Sequence, residues 1–175
     1  MARILIVIDM QKDFIDGSLG TPEAVQIVKA VKELVNGWDG RVLFTRDTHT
    51  EEYLDTQEGR KLPVPHCIRG SAGWQLEQEL LQWQQQEKCP IFDKNTFGST
   101  ELARYLAISH LTEPIEEIML VGLCTDICVI SNALLIKAYL PEVPLKVKAS
   151  CCAGVSPASH ERALEAMQMC QIEIV

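Results

Sequence analysis

Cys128 stands where a cysteine can become a nucleophile. It follows the apolar stretch 117–122, a turn that contains Gly122, and Asp126, a pattern that predicts a strand, a turn and the start of a helix. We expect Thr125 to cap this helix and Cys128 to lie about three residues into it. The unpaired N–H groups at a helix N-terminus favour the thiolate, the form that attacks a carbonyl carbon. From this stretch alone, a buried structural cysteine remains the commoner alternative.

Other chemically capable side chains follow three further apolar stretches. They are Asp9 after residues 3–8, Asp47 and His49 after residues 41–45, and Asp93 and Lys94 after residues 90–92. Each of them taken alone is as well explained as a helix cap or a loop residue. Their meaning therefore depends on whether the fold brings the ends of the four stretches together.

The stretches themselves predict alternating strands and helices. Predicted strands cover residues 3–8, 41–45, 90–93, 117–122, 145–149 and 172–175. Predicted helices cover residues 21–36, 73–86, 100–109 and 126–140, and a last helix opens at Ser156 and Pro157. This alternation predicts an α/β fold, a three-layer α-β-α sandwich with a mostly parallel, roughly six-stranded Rossmann-like sheet. We expect residues 1–175 to form a single domain.

Local patterns add detail to these elements. Thr21 and Ser99 are expected to cap two of the helices. Residues 50–72 lack sustained periodicity, and a loop of that length usually carries function. Cys151 and Cys152 are expected to follow a strand. The apolar side of the first long helix is predicted to consist of Val25, Ile27, Val28, Val31 and Leu34.

The predicted sheet gives the polar residues at the strand ends a common place. In parallel sheets of this kind, ligands bind outside the carboxyl ends of the strands. Asp9, Asp47, Lys94 and Cys128 would therefore meet at one edge of the sheet. Their coincidence at that edge indicates a functional site rather than a set of unrelated caps.

Composition narrows the classes of partner. The chain of 175 residues is 47% hydrophobic and 23% charged, as expected of a globular domain with a core. A net charge of −8 and a pI near 5.0 argue against nucleic acids and anionic membranes, which need a basic face. The apolar runs are too short for a membrane span or a signal peptide. Seven cysteines without paired C-x-x-C spacing favour a reduced, cytoplasmic protein.

Five segments of the sequence form a recognisable pattern. In order, they are Ile-Asp-Met-Gln-Lys-Asp-Phe at 8–14, Thr-Arg-Asp-Thr-His at 45–49, Pro-His-Cys at 65–67, Lys94, and Gly-Leu-Cys-Thr-Asp-Ile-Cys-Val at 122–129. Together they resemble the isochorismatase-like cysteine hydrolases, and within that superfamily the nicotinamidases and pyrazinamidases most. The resemblance covers essentially the whole chain. The first segment alone is a weak signal, whereas the combination of aspartate, lysine, cysteine and Asp-x-His is specific.

The resemblance implies a catalytic triad of Asp9, Lys94 and Cys128. Cys128 would be the nucleophile, Asp9 the residue that accepts and returns its proton, and Lys94 the cation that stabilises both. It also implies that the backbone N–H groups of Cys124 and Cys128 bind the oxyanion, after a cis peptide bond between Leu123 and Cys124. The expected intermediate is a thioester.

The resemblance further implies a divalent-metal site formed by Asp47, His49 and His66, whose ion holds the ring nitrogen of the substrate. Carboxylate and imidazole ligands suit Zn, Fe(II) or Mn, and no nucleotide cofactor is implied. Many nicotinamidases have a third histidine a few residues after the first, where Asp55 is the nearest match here. Other members have a glutamate ahead of a Leu-x-x-Pro-His segment. Glu58 fits that second pattern, so we predict Glu58 as the fourth ligand, with Asp55 as the alternative.

Three aromatic residues are candidates for the walls of a small pocket. Phe14 follows from the first segment, and Phe97 and Trp74 complete the set. Trp74 opens a predicted helix and is equally explained by core packing. His110 and His160 have no place in the pattern and are expected to lie at the surface or to cap helices.

The leading hypothesis is therefore hydrolysis of nicotinamide to nicotinate and ammonia. A sibling amidase acting on another small amide, ureide or N-carbamoyl compound is the alternative within catalysis. A catalytically silent member that binds a small molecule is the alternative outside it. Members of the superfamily often form dimers or tetramers, so we also expect a homo-oligomer.

Overall fold

The aliphatic run near the start of the chain forms the centre of a sheet. The computed structural model describes residues 2–175, and in it the side chains of residues Ile4–Ile8 are fully buried. A strand with parallel neighbours and helices on both faces needs apolar side chains on both sides. This explains why the run does not alternate with polar residues.

Six strands form one parallel sheet in the order β3-β2-β1-β4-β5-β6. Their bounds are β1 (Ala2–Ile8), β2 (Arg41–Asp47), β3 (Ile91–Lys94), β4 (Ile115–Leu123), β5 (Leu145–Ala153) and β6 (Glu173–Ile174). All six strands predicted from the sequence are present, and the observed bounds extend most of them at their carboxyl ends.

Within residues 2–175, seven α-helices accompany the sheet. They are α1 (Lys12–Ile15), α2 (Pro22–Asn36), α3 (Gln57–Lys61), α4 (Gln78–Glu87), α5 (Thr100–Thr112), α6 (Ile130–Tyr139) and α7 (Pro157–Met169). Ile4, Ile6 and Ile8 of β1 pack in one apolar cluster with residues of α5, α6 and α7. Leu5 and Val7 pack in a second cluster with residues of α1, α2 and α4. The predicted three-layer α/β fold is confirmed, and no helix within residues 2–175 is long and apolar enough to cross a membrane.

The predicted helix caps are confirmed. The side-chain oxygens of Thr21 and Ser99 accept hydrogen bonds from backbone N–H groups in the first turns of α2 and α5. Ser156 forms a capping box with Ser159 at the start of α7. These side chains satisfy N–H groups that have no partner inside the helix, and so fix where each helix begins.

The helix predicted over residues 73–86 begins later than expected. The Glu77 carboxylate accepts hydrogen bonds from two N–H groups of the first turn of α4, which starts at Gln78. Trp74 lies in the turn before that cap, so the prediction that Trp74 opens a helix is wrong.

The helix predicted over residues 126–140 is divided. A π-helical turn, Thr125–Val129, precedes α6. The prediction that Thr125 caps the helix is wrong, because its Oγ1 instead lies 2.8 Å from Nδ1 of His160. His160 was expected to lie at the surface or to cap a helix, and this half-buried contact replaces that role.

Three smaller expectations also need correction. Val25 is 50% exposed, because Ala24 rather than Val25 faces the sheet from the first turn of α2. Cys151 and Cys152 belong to the end of β5 and are buried, rather than following the strand. The long loop over residues 50–72 contains the short helix α3 and a 3₁₀ turn, Tyr53–Asp55.

The chain changes direction across the sheet between β1 and β4. β2 and β3 lie on one side of this pair, and β5 and β6 on the other, which opens a crevice beyond the carboxyl ends of the two central strands. Gly122, the last residue but one of β4, pairs with Ile8 and has φ +116°, and a Cβ built there would lie 2.1 Å from the Ile8 carbonyl oxygen. Glycine is therefore required where the two central strands reach the crevice.

Candidate active site and metal cluster

Asp9, Lys94 and Cys128 meet at the crevice. They come from the ends of β1 and β3 and from the π-helical turn after β4, and all three are buried. Nζ of Lys94 lies 2.6 Å from Oδ2 of Asp9 and donates a hydrogen bond of 3.5 Å to Sγ of Cys128. The structure thus brings together the three residues that the motifs singled out.

The carboxylate of Asp9 is fixed from the neighbouring strand. Oγ1 of Thr45, in β2, accepts a hydrogen bond from the Asp9 backbone N–H and donates one of 2.6 Å to Oδ1 of Asp9. Burial raises the pKa of Asp9, although the charge of Lys94 and these hydrogen bonds oppose the shift. A carboxyl with a raised pKa is a better proton acceptor from a thiol than an ordinary aspartate.

Lys94 remains an ammonium in this environment. Burial alone would lower its pKa, but the negative charges of Asp9 and Asp47 and the hydrogen bond to Asp9 outweigh that effect and raise the pKa of Lys94 above its ordinary value. The fixed positive charge therefore stays beside the sulfur.

The thiol of Cys128 is protonated at rest. Burial raises the pKa of Cys128 well above its ordinary value, and the charge of Asp9 and the hydrogen bond to it raise the pKa further, against the effect of Lys94. The sequence predicted that a helix N-terminus would favour the thiolate. Burial and the charge of Asp9 shift the pKa of Cys128 in the opposite direction. A thiol in this environment would need a base before it could attack a carbonyl carbon, and Asp9 lies close enough to serve as one.

The π-helical turn and the residue before it contain Cys128 and Cys124, whose backbone N–H groups are the oxyanion donors that the resemblance implied. The peptide bond between Leu123 and Cys124 is cis, as the motif implied. The Cys124 carbonyl accepts hydrogen bonds of 3.1 Å from the N–H groups of both Ile127 and Val129. These two hydrogen bonds stabilise the turn. Cys124 directly precedes it, and Cys128 is its last residue but one.

Four potential metal ligands gather beside these residues. One ligand atom from each of Asp47, His49, Glu58 and His66 lies within 4.8 Å of the others. Oδ2 of Asp47 is 2.9 Å from Nε2 of His49 and 3.6 Å from Nε2 of His66. Oε1 of Glu58 lies 3.8 Å and 3.7 Å from the same two nitrogens. Asp55, the alternative from sequence, is exposed and lies outside this group.

The orientation of the cluster is set by the residues around it. Nδ1 of His66 pairs with the Val64 carbonyl at 2.8 Å, which leaves Nε2 free to face the cluster. The buried ring of Tyr53 packs edge-on against His49 and His66, with ring centroids 4.7 Å and 4.9 Å away. The side-chain amide of Gln11 bonds to both the N–H and the carbonyl of Asp47.

Asp47 connects the cluster to the buried ion pair. Its Oδ1 lies 3.5 Å from Nζ of Lys94, while its Oδ2 faces the two histidines. Burial would raise the pKa of Asp47, but hydrogen bonds from His49 and His66 and the charge of Lys94 outweigh burial and lower it. An ionised carboxylate with two imidazole nitrogens and a second carboxylate is a donor set that suits a divalent cation.

A sequence model of the isochorismatase domain matches residues 3–175. The chain belongs to this family. PncA, an isochorismatase family protein of Bacillus subtilis, is 33% identical over 174 residues, which cover 94% of this chain and 93% of that protein. The resemblance inferred from the five segments is confirmed.

Two solved structures of related enzymes share the fold of this isochorismatase family member. The crystal structure of nicotinamidase/pyrazinamidase PncA from Bacillus subtilis has a TM-score of 0.82 at 28% identity, with 100% of both chains covered. The crystal structure of pyrazinamidase of Pyrococcus horikoshii in complex with zinc has a TM-score of 0.79 at 25% identity, with 100% of this chain and 99% of that chain covered.

The three predicted pocket aromatics occupy different environments in this family member. The ring of Phe14 is buried, with its centroid 5.5 Å from that of His66, so it adjoins the cluster. Trp74 is also buried. Its Nε1 donates to Oγ1 of Thr48, and the Arg46 guanidinium lies 3.7 Å from the centroid of its ring. Phe97 is 46% exposed, in the connection between β3 and α5.

A cavity of about 250 Å³ lies away from these residues. It is lined by the first turns of α2 and α7 and the end of β5, and none of the predicted site residues lines it. His160 is one of its walls. His110, the other histidine outside the motifs, is half-buried and accepts a hydrogen bond from the Ile115 N–H at the start of β4, so it does not have the expected surface or capping role.

Sequence reasoning missed the residues that hold the site in shape. Thr45 and Gln11 were within the recognised segments, but no role was predicted for either side chain. Tyr53 and Asn132 had no motif to mark them. For Thr45 and Asn132 a signal was available, because a polar side chain within or beside an apolar stretch must find a buried partner.

Proposed function

We propose that the chain is a cysteine amidohydrolase that cleaves nicotinamide to nicotinate and ammonia. The observation that carries the proposal is the buried set of Asp9, Lys94 and Cys128 beside a compact group of four potential metal ligands. Relatives and structural neighbours that are named nicotinamidase or pyrazinamidase support the same activity.

In the first half of the reaction, Cys128 becomes acylated. The thiol gives its proton to Asp9 as the sulfur attacks the amide carbon, and the π bond electrons move to the carbonyl oxygen. When the tetrahedral intermediate collapses, the C–N bond breaks and Asp9 returns the proton to the leaving nitrogen. Ammonia leaves, and a thioester remains on Cys128.

In the second half, water takes the place of ammonia. Asp9 accepts a proton from water as the water oxygen attacks the thioester carbon. When the C–S bond breaks, Asp9 returns this proton to the sulfur, which restores the Cys128 thiol, and nicotinic acid leaves and ionises to nicotinate. Lys94 stabilises the negative charge, which passes between the sulfur and the Asp9 carboxylate. The N–H groups of Cys124 and Cys128 bind the oxyanion of both tetrahedral intermediates.

The cluster of Asp47, His49, Glu58 and His66 would hold a divalent cation. Two imidazoles and two carboxylates fit Zn, Fe(II) or Mn. A histidine that binds a metal through one ring nitrogen usually donates a hydrogen bond from the other, and Nδ1 of His66 has such a partner in the Val64 carbonyl. When bound, the ion would provide a Lewis acid for the ring nitrogen of the substrate. Asp47 would then orient the substrate and also stand beside Lys94.

We further propose that Phe14, Trp74 and Phe97 shape the pocket. The contact between Phe14 and His66 supports a place for Phe14 beside the substrate ring. The indole of Trp74 is covered by Arg46, and so it would act by holding the surrounding loop rather than by stacking on the ring. Phe97 would close the opposite, exposed side.

Ammonia release separates this proposal from its alternatives. Purified protein is assayed with nicotinamide, with an N-carbamoyl compound and with a ureide, each before and after chelation and with Zn²⁺ or Mn²⁺ restored. We expect release from nicotinamide that falls on chelation and returns with metal. Release from the other compounds alone would indicate a sibling amidase. Release from none of them, with metal restored, would indicate a binding protein without turnover.

We also propose that the single domain spanning residues 1–175 works as a homo-oligomer in the cytoplasm. All seven cysteines are free thiols, which supports a reducing compartment. The proposal of an oligomer rests on the resemblance to a superfamily whose members often form dimers or tetramers.

A further inference from the structure

Asn132 is a fully buried amide in a helix whose other buried side chains, such as those of Ala133 and Ile136, are apolar. Burying an amide is unfavourable unless its donors and acceptor find partners. The mechanism proposed above gives Asn132 no part, so its partners show what it does.

Those partners join two parts of the proposed active site. Nδ2 of Asn132 donates to the carbonyl of Cys128 at 2.8 Å and to the carbonyl of Phe97 at 3.1 Å. Its Oδ1 accepts a hydrogen bond of 2.9 Å from the Ser99 N–H. One side chain therefore holds the backbone of the nucleophile and two backbone groups of the segment that follows Lys94.

That segment, residues 95–99, belongs to no helix or strand. It is held at one end by the sheet, where the Lys94 carbonyl accepts from the Thr48 N–H, and at the other by Asn132. Between them Gly98 packs closely on α6, since a Cβ there would lie 3.1 Å from the Ser131 carbonyl oxygen. The segment carries Phe97 on its outer side.

We propose that Asn132 is a positioning residue that fixes Cys128 relative to Lys94 and fixes Phe97 over the pocket. The proposal rests on the amidase function proposed above. Its bond to Cys128 sets the distance over which Lys94 acts on the sulfur. Its bonds to Phe97 and Ser99 hold the wall that the substrate meets.

Two substitutions separate these contacts. Asn132→Ala removes all three hydrogen bonds. In Asn132→Ser, the hydroxyl of a helical serine can bond to the carbonyl four residues earlier, which here is that of Cys128, but it cannot reach the 95–99 segment. Ile136→Val, on the same helix, is the control for a general loss of packing.

Steady-state kinetics of ammonia release test the proposal. We expect Asn132→Ala to lower kcat by about tenfold or more and to raise KM, and Asn132→Ser to recover most of kcat while KM stays raised. Ile136→Val should change neither. Equal kinetics for Asn132→Ala and Asn132→Ser, or wild-type values in either, would overturn the proposal. If Asn132→Ala does not fold, a wild-type KM in Asn132→Ser overturns it.

The rate at which iodoacetamide alkylates Cys128 tests the same positioning role without any substrate. The rate is followed by peptide mass spectrometry, with exposed Cys170 as the internal reference. We expect slower labelling of Cys128 in Asn132→Ala than in Asn132→Ser, because the thiol loses its alignment with Asp9 and Lys94. Equal or faster labelling contradicts the positioning role. Absence of amide turnover in the wild type, by contrast, bears on the proposed function and leaves this comparison intact.

Discussion

At the scale of single residues, the surroundings of Cys128 favour the neutral thiol over the thiolate. The pKa of Cys128 is raised by burial and by Asp9, while the pKa of Lys94 is raised by the anions around it, so a fixed cation stands beside a protonated sulfur. Thr45 supports the ionised form of Asp9 with a short hydrogen bond. Proton transfer from Cys128 to Asp9 thus starts from a carboxylate whose position and charge are both held.

Thr45→Val should move the acid limb of the pH profile. The Thr45 hydroxyl lowers the pKa of Asp9, so its removal raises a pKa that burial has already raised. The base works only when ionised, and activity is lost as the pH falls through this pKa. Loss of a hydrogen bond to a charged group, about 1.5–3 kcal/mol, corresponds to about 1–2 pH units.

The measurement is kcat/KM for ammonia release against pH. Thr112→Val, which removes an exposed threonine hydroxyl bonded only to the Ser109 carbonyl, is the matched control and should leave the profile unchanged. An acid limb at the wild-type position in Thr45→Val would contradict the role given to Thr45.

The residues of the proposed triad could be predicted from the sequence, whereas the side chains that hold them in position could not. Asp9, Lys94 and Cys128 fall at strand ends and in motifs, and a strand end is visible in a run of apolar residues. Thr45 lies 36 positions from Asp9 in the chain, and Asn132 lies 33 positions from Ser99. Such contacts depend on how strands and helices are arranged in space, which a local pattern does not encode.

At the scale of elements, short pieces of irregular structure position the groups that matter. The π-helical turn before α6 carries Cys128, and the five-residue helix α3 carries Glu58. Hydrophobic periodicity reveals neither, because each is too short to show a repeat. This is why the predicted helix over residues 126–140 was too long at its start and the loop over 50–72 was thought to lack structure.

Replacing Glu58 should weaken metal binding, whereas replacing Asp55 should not. Oε1 of Glu58 lies within reach of both histidines, and Asp55 is exposed, although the two carboxylates are three residues apart. We expect Glu58→Gln to lower the affinity for Zn²⁺ by about tenfold or more. Asp55→Asn is the matched control, because it also replaces a carboxylate by an amide but does so outside the cluster.

Competition with a chromophoric chelator gives the two affinities directly. Equal affinities of Glu58→Gln and the wild type would exclude Glu58 as a ligand. A larger loss in Asp55→Asn would restore the alternative drawn from the nicotinamidase pattern.

Gly122→Ala should destabilise the junction of the two central strands. The new Cβ would meet the Ile8 carbonyl oxygen at 2.1 Å, at a φ of +116°. Overlap and backbone strain together should lower the free energy of unfolding by about 3 kcal/mol or more. Gly70→Ala is the control, since φ is +83° there but a Cβ would have no neighbour within 4 Å.

Urea unfolding measures both effects. We expect Gly70→Ala to lose only the cost of a left-handed backbone, about 1–2 kcal/mol. Similar losses in the two variants would show that close approach of β1 and β4 does not require glycine at position 122.

At the scale of the whole molecule, the order of the strands creates the site. β1 and β4 lie side by side although more than 100 residues separate them, and the crevice at their carboxyl ends receives side chains from four segments. Alternation of strands and helices predicted the layers, and the rule for parallel sheets predicted the edge. The strand order itself was not predicted, because it is decided by packing between distant helices.

Sedimentation equilibrium should give a mass that is two or four times the 19.6 kDa of one chain. Large apolar side chains are exposed on α5, where Ile108 and Leu111 face outward, and an interface between copies would cover such surface. A mass of one chain across the working concentration range would contradict the expected oligomer.

The central claim is that Cys128 is the nucleophile of an amidase, and its replacement tests that claim most directly. Ammonia release from nicotinamide is compared for the wild type, Cys128→Ala and Cys170→Ala, with circular dichroism to show that each is folded. We expect Cys128→Ala to lose activity by about 10⁴-fold or more, as removal of a nucleophile does, and Cys170→Ala to match the wild type. A folded Cys128→Ala variant that hydrolyses nicotinamide at a rate close to that of the wild type would contradict the account.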